Sequence, residues 1–482
     1  MHSVTLARGL KAAGFETIVC GEATRNLARL WTEAASHGLQ RTRGPIGYWR
    51  DCSERERFQH QHDAASRIIE DIRPDLLIVP YPWPDSGAGI ACAAVEADIP
   101  VISIFHLFRP NAELSPFMGA QLRKLADAGE PLIAVSDVVA DALSSSSGIP
   151  RRRFSVIRNG VYVEEQYLSL TEEKIEDNKL RLLEELGLPP GSIIACTVAR
   201  VDAQKGYLDF VQVVKEASAK WPRVHFLWVG DGPDMKNLKQ QLVDAGVATR
   251  VSLMGWRDDP LRFIATSDIF LQTSHFEGLS LSLLEAARLK KPIVTTSPGG
   301  LEIIAPNRSH LYVEQSGDCS AIAESIVQLS SGPALRRLLQ RNLSELTSEL
   351  SDEVMVEKYA VTLRAAMDRG LMTAKSPVAV EPIFFCTNSM TTARALTVSK
   401  NYLNESLCPR LFIENCASIS SFDGALNYFN NAVDLNDCNL ADVLGDLSAE
   451  QKPLCVSFNY LWPRGMLRSS ISLPAATVRM RL

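Results

Sequence analysis

No C-x-x-C pair occurs among the ten cysteines of this 482-residue chain, which argues against zinc ribbons and thioredoxin-type redox sites. No stretch reaches the roughly 18 apolar residues of a membrane-spanning helix. Lys and Arg number 50 against 56 Asp and Glu, a net charge of −6. No long basic stripe is present either, so nucleic acid is not an expected partner. The densest cationic run, Arg151-Arg152-Arg153, reads as a solvated turn beside Pro150. Glycine (28) and proline (25) are too sparse for collagen-like or low-complexity design. The opening residues lack the apolar core of a signal peptide, and the cysteines are scattered. The expected compartment is therefore the reducing cytoplasm. Peripheral attachment at the inner membrane face stays open, although no strong amphipathic basic helix argues for it.

What is present is an ordinary globular composition, 46% hydrophobic and 22% charged. At roughly 150 residues per domain, the length allows about three domains, or two and an extension. The chain begins on a helix, with Val4, Leu6, Ala7 and Leu10 on one stripe and Gly14 placed to end it. Short apolar runs follow at 15–20, 75–79, 101–105 and 132–136, separated by helix-compatible sequence. A second series begins near residue 190, with strands expected at 193–198, 224–229, 251–254, 269–272 and 293–296. Strands alternating with helices predict an α/β protein of two doubly wound, Rossmann-like domains, with parallel sheets covered on both faces. A ligand cleft is expected between them, at the C-terminal ends of the strands. The expected divisions are 1–163, 164–350, a last amphipathic helix at 351–370, and a tail at 371–482 where the alternation fails.

The chemistry concentrates between 196 and 302. Arg200 and Lys205 lie five residues apart in a strand-to-helix loop, where free N–H groups of a helix start also suit a diphosphate. Taken singly, the same loop is equally a surface loop with solvated charges. Gly230-Asp231-Gly232 and Gly255 each close a strand. Ser274-His275-Phe276-Glu277-Gly278-Leu279-Ser280 then leads to Glu285. A wholly helical interval between the two glutamates would rise about 12 Å. That is too far for a paired acid and base on one bond, but it fits two carboxylates holding separate hydroxyls of an extended ligand. A capping role for Glu277 and a surface role for Glu285 remain the alternatives. Gly299-Gly300-Leu301-Glu302 adds another glycine loop at the same sheet edge.

In this order, the segment resembles the sugar-nucleotide-binding half of glycosyltransferase family 4, of the GT-B fold. The resemblance rests on Arg200, Lys205, Gly230-Asp231-Gly232, Gly255, Ser274, Glu277, Glu285, Gly299, Gly300 and Glu302. His106, Ser136 and Asn159-Gly160-Val161 extend it over about residues 1–368. It implies that Arg200 and Lys205 neutralise the departing donor diphosphate. Glu285 would hold the ribose, and Glu277 the transferred sugar. Backbone N–H groups of Gly278, Leu279 and Ser280 would complete the phosphate cradle, with residues around Gly255 facing the base. His106 would touch the transferred sugar or position the acceptor. The implied reaction is a retaining transfer of a hexose or N-acetylhexosamine from a nucleotide diphosphate sugar, UDP favoured over GDP, to a glycan or lipid-linked acceptor. No cofactor is implied, and the chain has no Asp-x-Asp triplet to anchor a metal.

The start of the chain departs from that pattern, and the tail beyond about residue 375 belongs to no part of it. Family members normally begin with a strand and a Gly-Gly loop before the first helix. Their absence here predicts a gap in the first sheet and puts activity in doubt. The loop Pro80-Tyr81-Pro82-Trp83-Pro84-Asp85-Ser86-Gly87 is either an acceptor contact or simple packing. Two rival readings follow: an impaired GT-B protein that binds a nucleotide sugar or a partner without transfer, and a sugar-nucleotide epimerase.

Overall fold

The computed structural model describes residues 2–22, 27–47, 52–296, 312–345 and 347–373, together with 382–386, 410–413 and 454–456. Residues 1–373 form one compact unit and 374–482 a second.

In the first unit, the opening helix α1 (His2–Ala12) precedes β1 (Ile18–Gly21) and β2 (Gln40–Arg43), which pair in parallel as a two-stranded sheet. Then come β3 (Leu77–Tyr81), β4 (Val101–Phe105), β5 (Leu132–Ala134) and β6 (Phe154–Val156), a four-stranded parallel sheet in the order β3-β4-β5-β6. A six-stranded sheet follows, built from β7 (Ile193–Val198), β8 (Val224–Val229), β9 (Val251–Gly255), β10 (Ile269–Gln272), β11 (Ile293–Thr296) and β12 (Tyr312–Glu314). Its order is β12-β11-β10-β7-β8-β9, every pairing is parallel, and helices occupy the crossovers that link β7, β8, β9, β10 and β11 in chain order. The α/β class and the two doubly wound halves are as expected.

The buried strands show why the apolar runs were legible. Every residue of β4 and of β8 is buried, and parallel strands covered on both faces carry no polar alternation. Phe105, Phe226 and Trp228 are wholly enclosed, each such burial contributing roughly 1.5–3 kcal/mol. The first-sheet core continues without a break into Leu279, Leu283 and Leu284 of the second half, and into Met355, Val356 and Tyr359 of the last helix (Asp352–Thr373). That helix also touches α1: Arg8 pairs with Asp352, and Val356 lies against Gly9.

Three strands had no usable signal. β2 (Gln-Arg-Thr-Arg) is polar and largely exposed, and β6 and β12 are three residues each. The strand expected from Phe15 begins only at Ile18, because the N–H of Phe15 still bonds to Leu10 O at the helix end.

Among the described residues, no strand is hydrogen-bonded between β1 and β3, so the strands of the first half fall in two sheets. On β3, the N–H of Leu77 points toward β4, where it meets Pro100 O. Alternation along the strand turns Ile78 and Pro80 to the opposite edge, and Pro80 has no N–H to offer there.

The second unit contains three parallel strands, β13 (Pro382–Cys386), β14 (Arg410–Ile413) and β15 (Leu454–Val456), in the order β14-β13-β15. Their short apolar runs lie far apart in sequence, which is why no repeat was recognisable there.

Candidate functional site

The site is built where strands of the first unit end. After β7, the chain turns through Arg200 and Asp202 into a short 3-10 turn, Ala203–Lys205, and then the helix Tyr207–Lys220. Buried Asp202 organises this loop. Its Oδ1 accepts the Lys205 N–H at 3.1 Å, and its Oδ2 pairs with Arg200, whose side chain is 54% exposed. Gly230 supports the loop from beneath. It has φ +139°, and a β-carbon there would lie 2.0 Å from Ala199 O, so no other residue fits without displacing the Arg200 loop. Gly230 N–H also bonds to Gly255 O at 2.7 Å, joining two of the predicted glycine positions.

The facing loop, 273–280, leaves β10 and is laced to the first. His275 N–H donates to Gln204 O at 2.8 Å, Gln204 Nε2 donates to Phe276 O at 3.1 Å, and the Thr273 hydroxyl donates toward Lys205 O and Gly206 O, both at 3.1 Å. Across this seam, Lys205 Nζ meets Glu277 Oε1 at 2.5 Å, and Ser274 Oγ donates to the same oxygen at 2.8 Å. Glu277 is buried and Lys205 partly so. A buried pair of this kind needs additional hydrogen bonds to be tolerated, and Ser274 provides one.

Glu277 is not helical. The helix runs from Leu281 to Arg288, capped by Ser280, whose hydroxyl accepts from Leu283 N and donates to Gln272 Oε1 at 2.7 Å. The two glutamates thus bracket a helix start, as their spacing suggested, and the interval between them is only partly helical. Glu285 sits half-buried on the helix itself. Leu281 and Ser282 stand in the helix's first turn, where N–H groups have no intrahelical acceptor, which is the basis of a helix start's attraction for anions.

The first half of the chain reaches this loop directly. His106 follows β4, and its N–H donates to Tyr81 O at 3.0 Å. Gly278 packs on the His106 carbonyl, and Asn159 Nδ2 donates to Leu279 O at 3.1 Å. Burial pushes the His106 imidazole down to about 4, so it is neutral at pH 7. His2, at the start of α1, stands edge-on to it with ring centroids 4.5 Å apart, and burial lowers its pKa well below the ordinary value too.

His106, Arg200, Lys205, Glu277, Gly278, Leu279 and Ser280 thus come together around one seam, with Gly255 at the end of β9, two strands from β7. Gly299, Gly300 and Glu302 lie outside the described residues. Sequence reasoning missed Gln204, Thr273 and His2. The first two act by donating from their side chains to carbonyls of the facing loop, which leaves no motif, and His2 is recognisable only once its ring is seen against that of His106. Among the described residues, no group of three or more His, Cys, Asp or Glu side chains is placed to hold a metal ion, and no helix is long and apolar enough to cross a membrane.

Residues 1–165 match the family described as Glycosyltransferase Family 4, and residues 192–331 the family described as Glycosyl transferases group 1. The chain belongs to glycosyltransferase family 4, and its two doubly wound halves have the GT-B fold. It is similar to the lipopolysaccharide core biosynthesis glycosyltransferase LpsE of Rhizobium meliloti, with 29% identity over 176 residues, covering 36% of this chain and 51% of that one. It is also similar to the Escherichia coli UDP-Gal:alpha-D-GlcNAc-diphosphoundecaprenol alpha-1,3-galactosyltransferase, at 27% over 186 residues, 38% of this chain and 46% of that one. Anabaena Alr3699/HepE, solved in complex with UDP-glucose, matches the fold with a TM-score of 0.61 at 18% identity, over 76% of this chain and 95% of that one. The chain spans about half the length of these two curated relatives.

Proposed function

We propose that the chain is a retaining glycosyltransferase. It moves a hexose or N-acetylhexosamine from a nucleotide diphosphate sugar, UDP in preference to GDP, to a glycan or lipid-linked acceptor in the cytoplasm or at the inner membrane face. The observation that carries this reading is the seam itself: two cations on one strand-end loop, a buried glutamate on the facing loop, and a helix start beside them. Arg200 and Lys205 neutralise the diphosphate as negative charge develops on it, so no divalent ion is needed. Glu277, which holds Lys205, accepts hydroxyls of the sugar, and Glu285 those of the ribose. N–H groups from Gly278 to Ser280 complete the phosphate cradle. The bond from the anomeric carbon to the phosphate oxygen breaks as the acceptor oxygen bonds on the same face, and the acceptor proton passes to the departing phosphate. Neutral His106 positions the sugar or the acceptor. The UDP-linked substrates named for the galactosyltransferase and the UDP-glucose bound by Alr3699/HepE support the uridine donor; the lipopolysaccharide and undecaprenol relatives support the acceptor class.

The test is release of UDP from UDP-glucose, UDP-galactose and UDP-N-acetylglucosamine by the full chain, with and without EDTA, followed by NMR assignment of the product anomer. EDTA-insensitive release with retained configuration supports the reading, and an absolute need for Mg²⁺ or an inverted product contradicts it. A second reading, nucleotide-sugar binding without transfer, is favoured by the division between β1 and β3 beside the cleft. It predicts UDP binding with no release from any of the three donors. An epimerase would instead convert the free sugar nucleotide without any acceptor.

A further inference from the structure

The loop after β3 is held with more hydrogen bonds than a plain connection requires, and what it holds out is a tryptophan. Trp83 is 36% exposed, flanked by Pro82 and Pro84, which restrict the backbone on either side. Ser86 closes the turn beneath it. Its hydroxyl accepts the Trp83 N–H at 3.1 Å and donates to Trp83 O at 2.5 Å, while Ser86 N–H reaches the same carbonyl at 3.0 Å. Two buried side chains of the helix Glu54–Ile72 then fix the turn from behind. Arg57 donates to Asp85 Oδ2 at 3.1 Å, and Gln61 Nε2 donates to Ser86 O at 2.9 Å. The loop is therefore shaped before any ligand arrives. It is also beside the site, because Tyr81, two residues before Trp83, accepts the backbone N–H of His106.

A large apolar ring left partly in water forgoes burial energy, and packing does not require it here: the turn is closed by Ser86, Arg57 and Gln61 without the indole. Trp serves at wet recognition surfaces because it offers a rigid apolar face at little conformational cost. We propose that Trp83 is a platform for a pyranose ring of the acceptor, its indole covering the apolar C–H face of the sugar while hydroxyls at the rim meet solvent and the Asp85 carboxylate. The choice of a saccharide rests on the transferase reading; the existence of a preformed aromatic platform does not.

Octyl β-glucoside, octyl β-galactoside and octyl N-acetyl-β-glucosaminide are the probes, titrated against the full chain by saturation-transfer NMR, with UDP titrated calorimetrically into the same samples. The platform predicts that at least one glycoside binds the wild type. Trp83→Ala should weaken it tenfold or more and Trp83→Phe less than threefold. Three results overturn it: no glycoside binds the wild type, Trp83→Ala binds them as the wild type does, or Trp83→Ala weakens UDP, which would assign the ring to the donor. Glycoside binding that depends on Trp83 in a protein that fails to bind UDP would leave the platform standing and overturn the transferase reading. Trp83→Phe keeps the aromatic face, so a general folding defect in Trp83→Ala is recognised by loss of the melting transition in that variant alone.

Discussion

The α-carbon of Gly278 lies directly against the carbonyl of His106: a β-carbon built on Gly278 would stand 1.7 Å from that oxygen. The loop that carries Glu277 is thereby seated on the strand end that carries His106, and the two halves of the chain meet on backbone. Any side chain at 278 must push them apart.

Gly278→Ala is therefore expected to displace the 274–280 loop at a cost of about 1–3 kcal/mol, the range for overpacking a tight contact. Urea denaturation of the full chain measures the stability loss, and turnover of the donor should fall about tenfold or more through misplaced Glu277 and cradle N–H groups. A Gly278→Ala protein with wild-type stability and turnover would show that the contact does not position the loop.

Lys205→Ala removes the partner of a buried carboxylate and one of the two cations proposed for the diphosphate. The transition state should lose about 2 kcal/mol or more, roughly a thirtyfold fall in kcat/KM. The fold should weaken as well, because Glu277 is left buried and unpaired. The double variant Lys205→Met with Glu277→Gln separates the two effects: stability should recover toward wild type while turnover does not.

Asn159→Ala deletes the hydrogen bond to Leu279 O. A buried carbonyl then loses its partner, which costs about 1–3 kcal/mol. The loss should appear in urea denaturation, and an unchanged midpoint would mean that water replaces the amide.

Stability should fall with acid before the carboxylates titrate. His106 and His225 are held neutral by burial, with pKa values pushed down to about 4, and His2 is lowered in the same direction. Above about pH 6.5, these imidazoles are neutral in folded and unfolded chains alike, and the full stability is present. Between about 6.5 and about 4, the unfolded chain takes up protons that the folded one refuses, so stability declines across that window. His225, whose Nε2 lies 2.9 Å from Ser252 Oγ, is remote from the seam. His225→Asn should flatten the slope of unfolding free energy against pH, and an identical slope would contradict the assignment.

The two larger sheets were legible because most of their strands are buried and read as mainly apolar runs, as Val224–Val229, interrupted only by His225, shows. The site was legible only as a series. Arg200, Lys205, Glu277 and the glycines are unremarkable one by one, and their spacing carried the reading. The spacing did not reveal that Glu277 turns back onto Lys205, that Gln204 and Thr273 bind the two loops together, or that His2 lies against His106. Each of these is a side-chain contact between segments far apart in the chain, and local spacing does not encode it. The polar strand Gln40–Arg43 was hidden for another reason: at an exposed edge, composition need not follow the sheet.

The central claim is that the Arg200–Lys205 loop and the Glu277 loop together hold a nucleoside diphosphate. Calorimetric titration of UDP into the wild-type chain and Lys205→Ala, both in EDTA, tests it most directly. The account predicts saturable binding to the wild type, weakened about tenfold or more by the substitution, on the scale of one charge-assisted contact. No binding to the wild type, or equal binding to both proteins, would contradict it.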